Sequence, residues 1–212
     1  MEKLRKLLDL REVDVKNINQ RFKEIANLLF QEYHIQKGEN IKYDFLEIEF
    51  YYYTAGHEDI ITYPRNEKSG RWFFHCSGVD ITFESKCEDI KCDCKTRQPN
   101  GDHFGGILIR SLLKNEKERI TGPQKCTWSL FDAFDAFELK QDDLPLIVKN
   151  ETNNTIPIPT SRFIPIEEDK VRQRFGSNFD DFYKYYEKTY RYYIEHPAWT
   201  DIKKSEYIAR PW

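Results

Sequence analysis

The most informative stretch of the chain reads Tyr43-Asp44-Phe45-Leu46-Glu47-Ile48-Glu49-Phe50-Tyr51-Tyr52-Tyr53, with His57 shortly after it. Its pattern predicts a strand that begins apolar, carries two carboxylates and runs into three tyrosines. Because successive side chains of a strand point to opposite faces, Glu47 and Glu49 share one face. Carboxylates on a strand are typical of a solvent-facing surface. Beside aromatic rings they also suit a pocket that binds a flat ring and moves a proton.

The segments on either side of this strand predict helices and mostly antiparallel strands. Apolar residues recur every three or four positions over residues 17–32, as in an amphipathic helix. Residues 71–84 predict a hairpin with its turn near Ser77-Gly78, and residues 105–113 predict a buried strand. Further expected elements are a short leading helix, a helix after Gly122-Pro123 covering 128–137, helical turns at 167–176 and 179–188, and a strand at 191–194. The order predicts an α+β fold with a curved antiparallel sheet flanked by helices.

A single domain accounts for the whole chain, which has 212 residues and no internal repeat or low-complexity linker. The domain is expected to span residues 1–212. Within it, residues 1–16 form an N-terminal extension, residues 85–104 a loop insertion and residues 200–212 a tail.

The composition indicates which cellular compartment and which binding partners to expect. The net charge of −3 is not the global signature of a nucleic-acid-binding protein, although aromatic residues make up 15% of the chain and favour a stacking surface. An odd number of cysteines and the lack of a signal peptide predict a reduced, cytoplasmic protein. No apolar run approaches the length of a spanning helix, so no membrane partner is expected.

Three cysteines lie in the polar region 85–104 as Cys87-x4-Cys92-x-Cys94, with His103 after them. This spacing does not match the paired patterns of structural zinc sites. We therefore expect a loop with reduced thiols, and neither a metal nor a cofactor.

Basic residues are interleaved with tyrosines near the C-terminus, where Lys184, Lys188 and Arg191 recur at near-helical spacing. Such a pattern suits a surface that faces phosphates. It is also the pattern of an aromatic face packed on the core beside a solvated charged face.

Seven short blocks, in chain order, resemble the methylpurine (alkyladenine, 3-methyladenine) DNA glycosylases. They cover residues 47–51, His57, Pro64-Arg65-Asn66, Trp72-Phe73-Phe74 with Ser77-Gly78, Gly106-Ile107-Leu108-Ile109-Arg110, Thr121-Gly122-Pro123-Gln124-Lys125, and Arg191-Tyr192-Tyr193-Ile194-Glu195 with Pro197 and Trp199. The resemblance is collinear from about residue 22 to residue 200. It implies a distant member of that family, with its fold and a role in base excision from damaged DNA.

The resemblance also implies roles for individual residues. Glu49 would be the general base that activates water, with Arg110 behind the water and the carboxylate. Tyr51 and Phe74 would be the two walls between which a flipped base stacks. His57 would contact the base or the adjoining phosphate.

Further residues would face the DNA. Arg65, Asn66 and Lys125 match turns of the family, and the basic residues 184, 188 and 191 would add phosphate contacts. Ser77 stands at the hairpin tip, where the family inserts a tyrosine into the DNA, and Glu84 stands where the family has an asparagine that guards against undamaged guanine.

Three functions stay open from the sequence. The first is a DNA-glycosylase-like hydrolase that removes a modified base through water attack on the N-glycosidic bond. The second is a non-catalytic module that kept the fold and binds nucleic acid or a protein partner. The third is an N-glycosidase of nucleosides or single strands, which needs no residue to fill the gap left by a flipped base.

Overall fold

The structure, a computed structural model, describes residues 2–90, 101–132, 137–138, 144–162, 168–176 and 179–197. In these residues the α-helices are α1 (Glu2–Leu7), α2 (Ile18–Glu32), α3 (Pro123–Leu130), α4 (Glu168–Phe175) and α5 (Phe179–Tyr186), and Val15–Asn17 forms a 3-10 helix before α2. The strands are β1 (Tyr33–Lys37), β2 (Ile41–Thr54), β3 (His57–Glu58), β4 (Trp72–His75), β5 (Gly78–Thr82), β6 (Phe104–Lys114), β7 (Glu118–Thr121), β8 (Pro145–Lys149), β9 (Ile158–Thr160) and β10 (Arg191–Tyr193).

The architecture is α+β, as predicted. All ten of these strands belong to one antiparallel sheet that curls into half a barrel, with the path β4-β5-β6-β2-β1-β8 through its middle. The remaining strands join its margins: β7 pairs with β6, β3 and β10 pair with β2, and β9 pairs with β10. No helix in the described ranges has the length and apolarity that a membrane span requires.

Strand β2 is the axis of the sheet. It pairs with β6 along nearly its whole length, and the register shifts between Phe45 and Ile48. Such a bulge re-aims side chains locally, and here it lies next to Glu47. Because β10 adds to the other side of β2 at Glu47, Ile48 and Glu49, the two carboxylates lie on a strand that is paired on both sides.

Helix α2 covers the apolar face of this sheet. Its residues Phe22, Ile25 and Leu29 are fully buried, and the Phe22 ring stacks on Phe50 of β2 with the ring centroids 4.6 Å apart. The apolar periodicity that predicted a helix over 17–32 is confirmed, because burying one apolar stripe is what stabilises a helix of this kind.

The opposite face of the sheet is polar. The register places Glu49 of β2 and Asp80 of β5 on either side of Leu108 of β6. Residues paired across neighbouring strands share a face, so both carboxylates stand on the side that α2 does not cover.

The structure departs from the prediction at several elements. Strand β1 follows α2 directly at Tyr33, whose extended backbone ends the helix without the glycine or proline that would mark a boundary. Strands β3 and β7 are also absent from the prediction. Helix α3 begins at Pro123 and ends at Leu130, earlier than the predicted range 128–137, of which residues 133–136 lie outside the described residues.

Candidate functional site

Glu49 lies at the centre of the polar face and is fully buried. Its Oε2 is 3.0 Å from Nη1 of Arg110, and its Oε1 accepts a hydrogen bond from the Tyr51 hydroxyl. Burial raises the pKa of Tyr51 well above its usual range, and the neighbouring carboxylate raises it further, so the hydroxyl stays protonated and donates. The sequence placed these three residues together, and the structure brings them into contact.

Glu47 is held more tightly than Glu49. Its Oε1 lies 3.0 Å from Nε of Arg110 and 3.2 Å from Nη1 of Arg191, and its Oε2 accepts from the Ser111 hydroxyl at 2.9 Å. Arg110 therefore spans both carboxylates. Burial opposes the charge of Arg110, but Glu49 and Glu47 raise its pKa above the ordinary value, so it stays a cation.

Tyr51 is partly exposed and carries a guanidinium on its ring. The Cζ atom of Arg162 lies 4.5 Å from the centroid of the Tyr51 ring and 5.0 Å from that of Tyr190. Both guanidinium Nη atoms bond to Asp59, and Nη2 also donates to the carbonyl of Phe50 at 2.7 Å. Arg162 is thus fixed between two tyrosines by a buried carboxylate.

A second arginine lies over the same face of the sheet. Nη1 of Arg65 is 2.7 Å from Oδ2 of Asp80, and its guanidinium lies 4.0 Å from the centroid of the Phe73 ring. Gly106 makes room for it, since a Cβ at that position would lie 2.7 Å from Arg65 Nη1. His75 completes the group with its Nε2 2.9 Å from Oδ1 of Asp80.

These contacts define a buried charge cluster of four carboxylates and four guanidiniums, each at most 6 % exposed. Its members are Glu47, Glu49, Asp59, Asp80, Arg65, Arg110, Arg162 and Arg191. Buried charges are tolerated only when they are paired, and each carboxylate here touches at least one guanidinium. Burial opposes the charge of Asp80, but Arg65 and His75 hold its pKa below the usual range.

His57 does not lie in contact with Glu49. It is buried, its Nδ1 is 2.8 Å from the carbonyl of Tyr52, and its Nε2 is 2.8 Å from the hydroxyl of Tyr190. A carbonyl can only accept, so Nδ1 carries the proton and Nε2 accepts from Tyr190. Burial lowers the pKa of His57, and both of its nitrogens bind protein groups rather than face a ligand.

Phe74 lies on the face of the sheet opposite to Tyr51. Its ring is 4.7 Å from that of Phe131, just after α3, and it is half exposed there. The prediction that Phe74 forms the second stacking wall is therefore wrong in this geometry, because side chains alternate along β4. The aromatic ring that shares the polar face is Phe73, which is partly exposed.

The predicted DNA-facing residues fall into two groups. Arg65 and Arg191 are buried in ion pairs, so neither can reach a phosphate in this structure. Lys125, Lys184 and Lys188 are exposed, as the prediction requires.

Asn66 and Ser77 lie in the loops around the site. The amide of Asn66 bonds to both the N–H and the carbonyl of Cys87, which ties the Pro-Arg-Asn turn to the region after β5. Ser77 is exposed in the two-residue turn Cys76-Ser77 between β4 and β5, so its position at the hairpin tip matches the prediction.

Sequence reasoning missed Arg162, Asp59 and Asp80. Arg162 follows β9 in a proline-rich segment whose composition predicts a loop, and it lies 103 residues along the chain from its partner Asp59. The hairpin pattern of residues 71–84 assigns no role to Asp80. A signal was nevertheless present, because a charged residue in the middle of a short apolar strand such as Val79-Asp80-Ile81 needs a partner when it is buried.

Within the described ranges no group of three or more histidine, cysteine and acidic side chains is arranged to hold a metal ion. Cys87 is buried with its thiol 3.4 Å from a carboxylate oxygen of Asp102. Cys92 and Cys94 lie outside the described residues.

Comparison of the chain with models of protein families, with curated proteins and with solved structures gives no match. A function therefore has to be argued from the side chains on the polar face.

Proposed function

We propose that this protein hydrolyses the N-glycosidic bond of a modified base, as a distant relative of the methylpurine DNA glycosylases. The observation that carries the proposal is Glu49, an ion-paired carboxylate on the same face as the partly exposed ring of Tyr51. A base that stacks on such a ring would bring its glycosidic bond close to a carboxylate, which is the pair of groups that this reaction needs.

In the proposed step a water molecule attacks C1′ of the sugar and Glu49 accepts its proton. The new C1′–O bond forms as the C1′–N bond breaks, and the base leaves with the electron pair and takes up a proton from solvent. The transition state carries positive charge on the sugar, which the Glu49 carboxylate stabilises. Arg110 fixes the carboxylate in direction.

Glu49 is also better suited to this role than Glu47. Each carboxylate oxygen has two lone pairs. Glu47 accepts from two arginines and a serine, whereas Glu49 has one contact on each oxygen, from Arg110 and Tyr51. Glu49 therefore retains acceptor capacity for a water, and Tyr51 is the side chain that has to shift to admit it.

The experiment compares base release by wild type, Glu49→Gln and Glu47→Gln on DNA that carries alkylated or deaminated bases. Both substitutions remove one buried negative charge from the same face, and Glu47→Gln disturbs more contacts than Glu49→Gln, so it controls for damage to the fold. We expect Glu49→Gln to abolish release and Glu47→Gln to retain a measurable rate. Equal rates for wild type and Glu49→Gln would show that Glu49 is not the base.

A second candidate is a binding module without catalysis, and the full burial of Glu49 favours it. In that case Glu49 and Arg110 would only stabilise the sheet, and the exposed lysines would bind nucleic acid or an acidic protein partner. This function predicts binding that Lys125→Glu weakens, with no base release by any variant.

The residues at the hairpin tip affect whether the protein can act on duplex DNA. Its turn residues, Cys76 and Ser77, are both too short to fill the space that a flipped base leaves in a duplex. Activity on nucleosides or single strands, and none on duplex DNA, would identify the substrate as one that needs no wedge.

A further inference from the structure

Two partly exposed aromatic rings of the polar face, those of Tyr51 and Phe73, already hold a guanidinium. Arg162 lies 4.5 Å from the centroid of the Tyr51 ring, and Arg65 lies 4.0 Å from the centroid of the Phe73 ring. Each guanidinium is fixed by a buried carboxylate, Asp59 in the case of Arg162, so neither can swing away when a ligand arrives.

An aromatic ring attracts cations through the negative potential of its faces. When one face is occupied by a guanidinium, the potential on the other face is less negative, and a second cation stacked there is repelled by the first. A cationic ring stacked on Tyr51 would meet this repulsion from Arg162. A neutral ring would lose nothing, because its stacking depends on dispersion and on exclusion of water.

The surrounding charges do not offset the repulsion between Arg162 and a cationic ring stacked on Tyr51. The four carboxylates and four guanidiniums of the buried charge cluster cancel, and each carboxylate is in contact with an arginine. The buried charge cluster therefore presents no net negative charge to attract a cationic ligand.

We propose that this site selects a neutral modified base over a cationic one. The inference rests on the proposed function and narrows its substrate class. A purine nucleoside methylated at N7 or N3 carries a positive charge on its ring, whereas deaminated and exocyclic adducts are neutral. The resemblance alone implies alkylated purines, and the arginines behind Tyr51 and Phe73 favour the neutral class.

A matched pair of oligonucleotides tests this preference by binding alone. One carries 7-methyl-2′-deoxyguanosine, which is cationic, and the other carries its neutral isostere 7-methyl-7-deaza-2′-deoxyguanosine. A 2′-fluoro substituent in the arabino configuration on both sugars blocks hydrolysis, so that wild-type protein can be used with the charge of Glu49 intact. We expect the neutral isostere to bind at least about tenfold more tightly, the order of one cation–π contact in a desolvated site.

The inference would be overturned if the two oligonucleotides bound equally or if the cationic one bound more tightly. It would also be overturned if neither bound more tightly than an unmodified strand. A double variant then tests whether Arg162 causes the preference for the neutral base. The double substitution Asp59→Leu with Arg162→Leu removes the guanidinium and its counterion together, so the net charge stays the same. The preference should fall to about threefold or less, and an unchanged ratio in a folded double variant would also contradict the role given to Arg162.

The outcomes separate this inference from the proposed function. Loss of the neutral preference with base release still dependent on Glu49 would refute the inference alone. A clear neutral preference without any base release would refute hydrolysis and leave a selective binding site.

Discussion

The ion pair between Arg162 and Asp59 is where a single substitution should reduce stability most. Both side chains are fully buried, two hydrogen bonds join them, and Arg162 also donates to the carbonyl of Phe50. Arg162→Leu would leave Asp59 charged and without its partner. Breaking a buried pair from one side costs about 3–5 kcal/mol, and the carbonyl that loses its donor adds about 1 kcal/mol.

We therefore expect Arg162→Leu to lower the free energy of unfolding by about 5 kcal/mol, a large part of the roughly 5–15 kcal/mol typical of a domain. The double variant with Asp59→Leu removes both charges and should lie within about 2 kcal/mol of wild type, because a buried pair can be replaced by apolar residues at little cost. Urea unfolding followed by far-ultraviolet circular dichroism measures all three.

The control is the pair formed by Lys6 and Glu2, whose side chains are mostly exposed. Lys6→Leu should leave the unfolding midpoint unchanged, since solvent screens such a pair. A loss below about 1 kcal/mol for Arg162→Leu would mean that its guanidinium is hydrated and does not depend on Asp59. The same result would remove the fixed cation from behind Tyr51, and with it the reason to expect a neutral ligand.

Two further predictions concern groups around Tyr51. Burial lowers the pKa of His57, so below about pH 6.5 the unfolded chain binds a proton that the folded chain does not. The free energy of unfolding should fall as the pH drops from about 6.5 toward the folded pKa, and urea titrations should show this slope flattened in His57→Gln. Tyr51→Phe keeps the ring and removes a donor to Glu49, so it should lower stability by about 2 kcal/mol, against about 1 kcal/mol for Tyr43→Phe, whose hydroxyl donates to a neutral carbonyl. Equal losses in thermal unfolding would show that the Tyr51 hydroxyl does not bond to a carboxylate.

The sequence predicted the elements that local patterns specify. Strand β2, the hairpin of β4 and β5, and helix α2 each lie where they were expected. The resemblance also implied that Arg110 lies behind the Glu49 carboxylate, and the two side chains are in contact in the structure.

The arginine partners could not be predicted in the same way. Arg191 meets Glu47 across 144 residues, and Arg162 meets Asp59 across 103. Nothing in the local sequence of either arginine distinguishes a buried ion pair from a solvated side chain. Only the order of strands in the sheet, with β10 on one side of β2, brings these charges together.

The prediction placed Phe74 on the wrong face of the sheet for a related reason. Its side relative to Glu49 depends on three successive strand pairings, β4 with β5, β5 with β6 and β6 with β2. The hairpin register sets Phe74 against Val79 and Phe73 against Asp80. Since Asp80 and Glu49 flank Leu108 on the polar face, Phe73 belongs to that face and Phe74 to the other.

The two glutamates that opened the sequence now differ in what they can do. Arg110 divides its guanidinium between them, with Nε toward Glu47 and Nη1 toward Glu49. Glu47, which Arg191 and Ser111 also hold, anchors Arg110 in the sheet. Arg110 in turn fixes Glu49, whose other oxygen faces Tyr51. One carboxylate thus orients the arginine that orients the second, and the second accepts a hydrogen bond from the hydroxyl of the partly exposed Tyr51. That asymmetry is what an ordinary charged strand surface would lack, and it is the physical reason to assign the chemistry to Glu49.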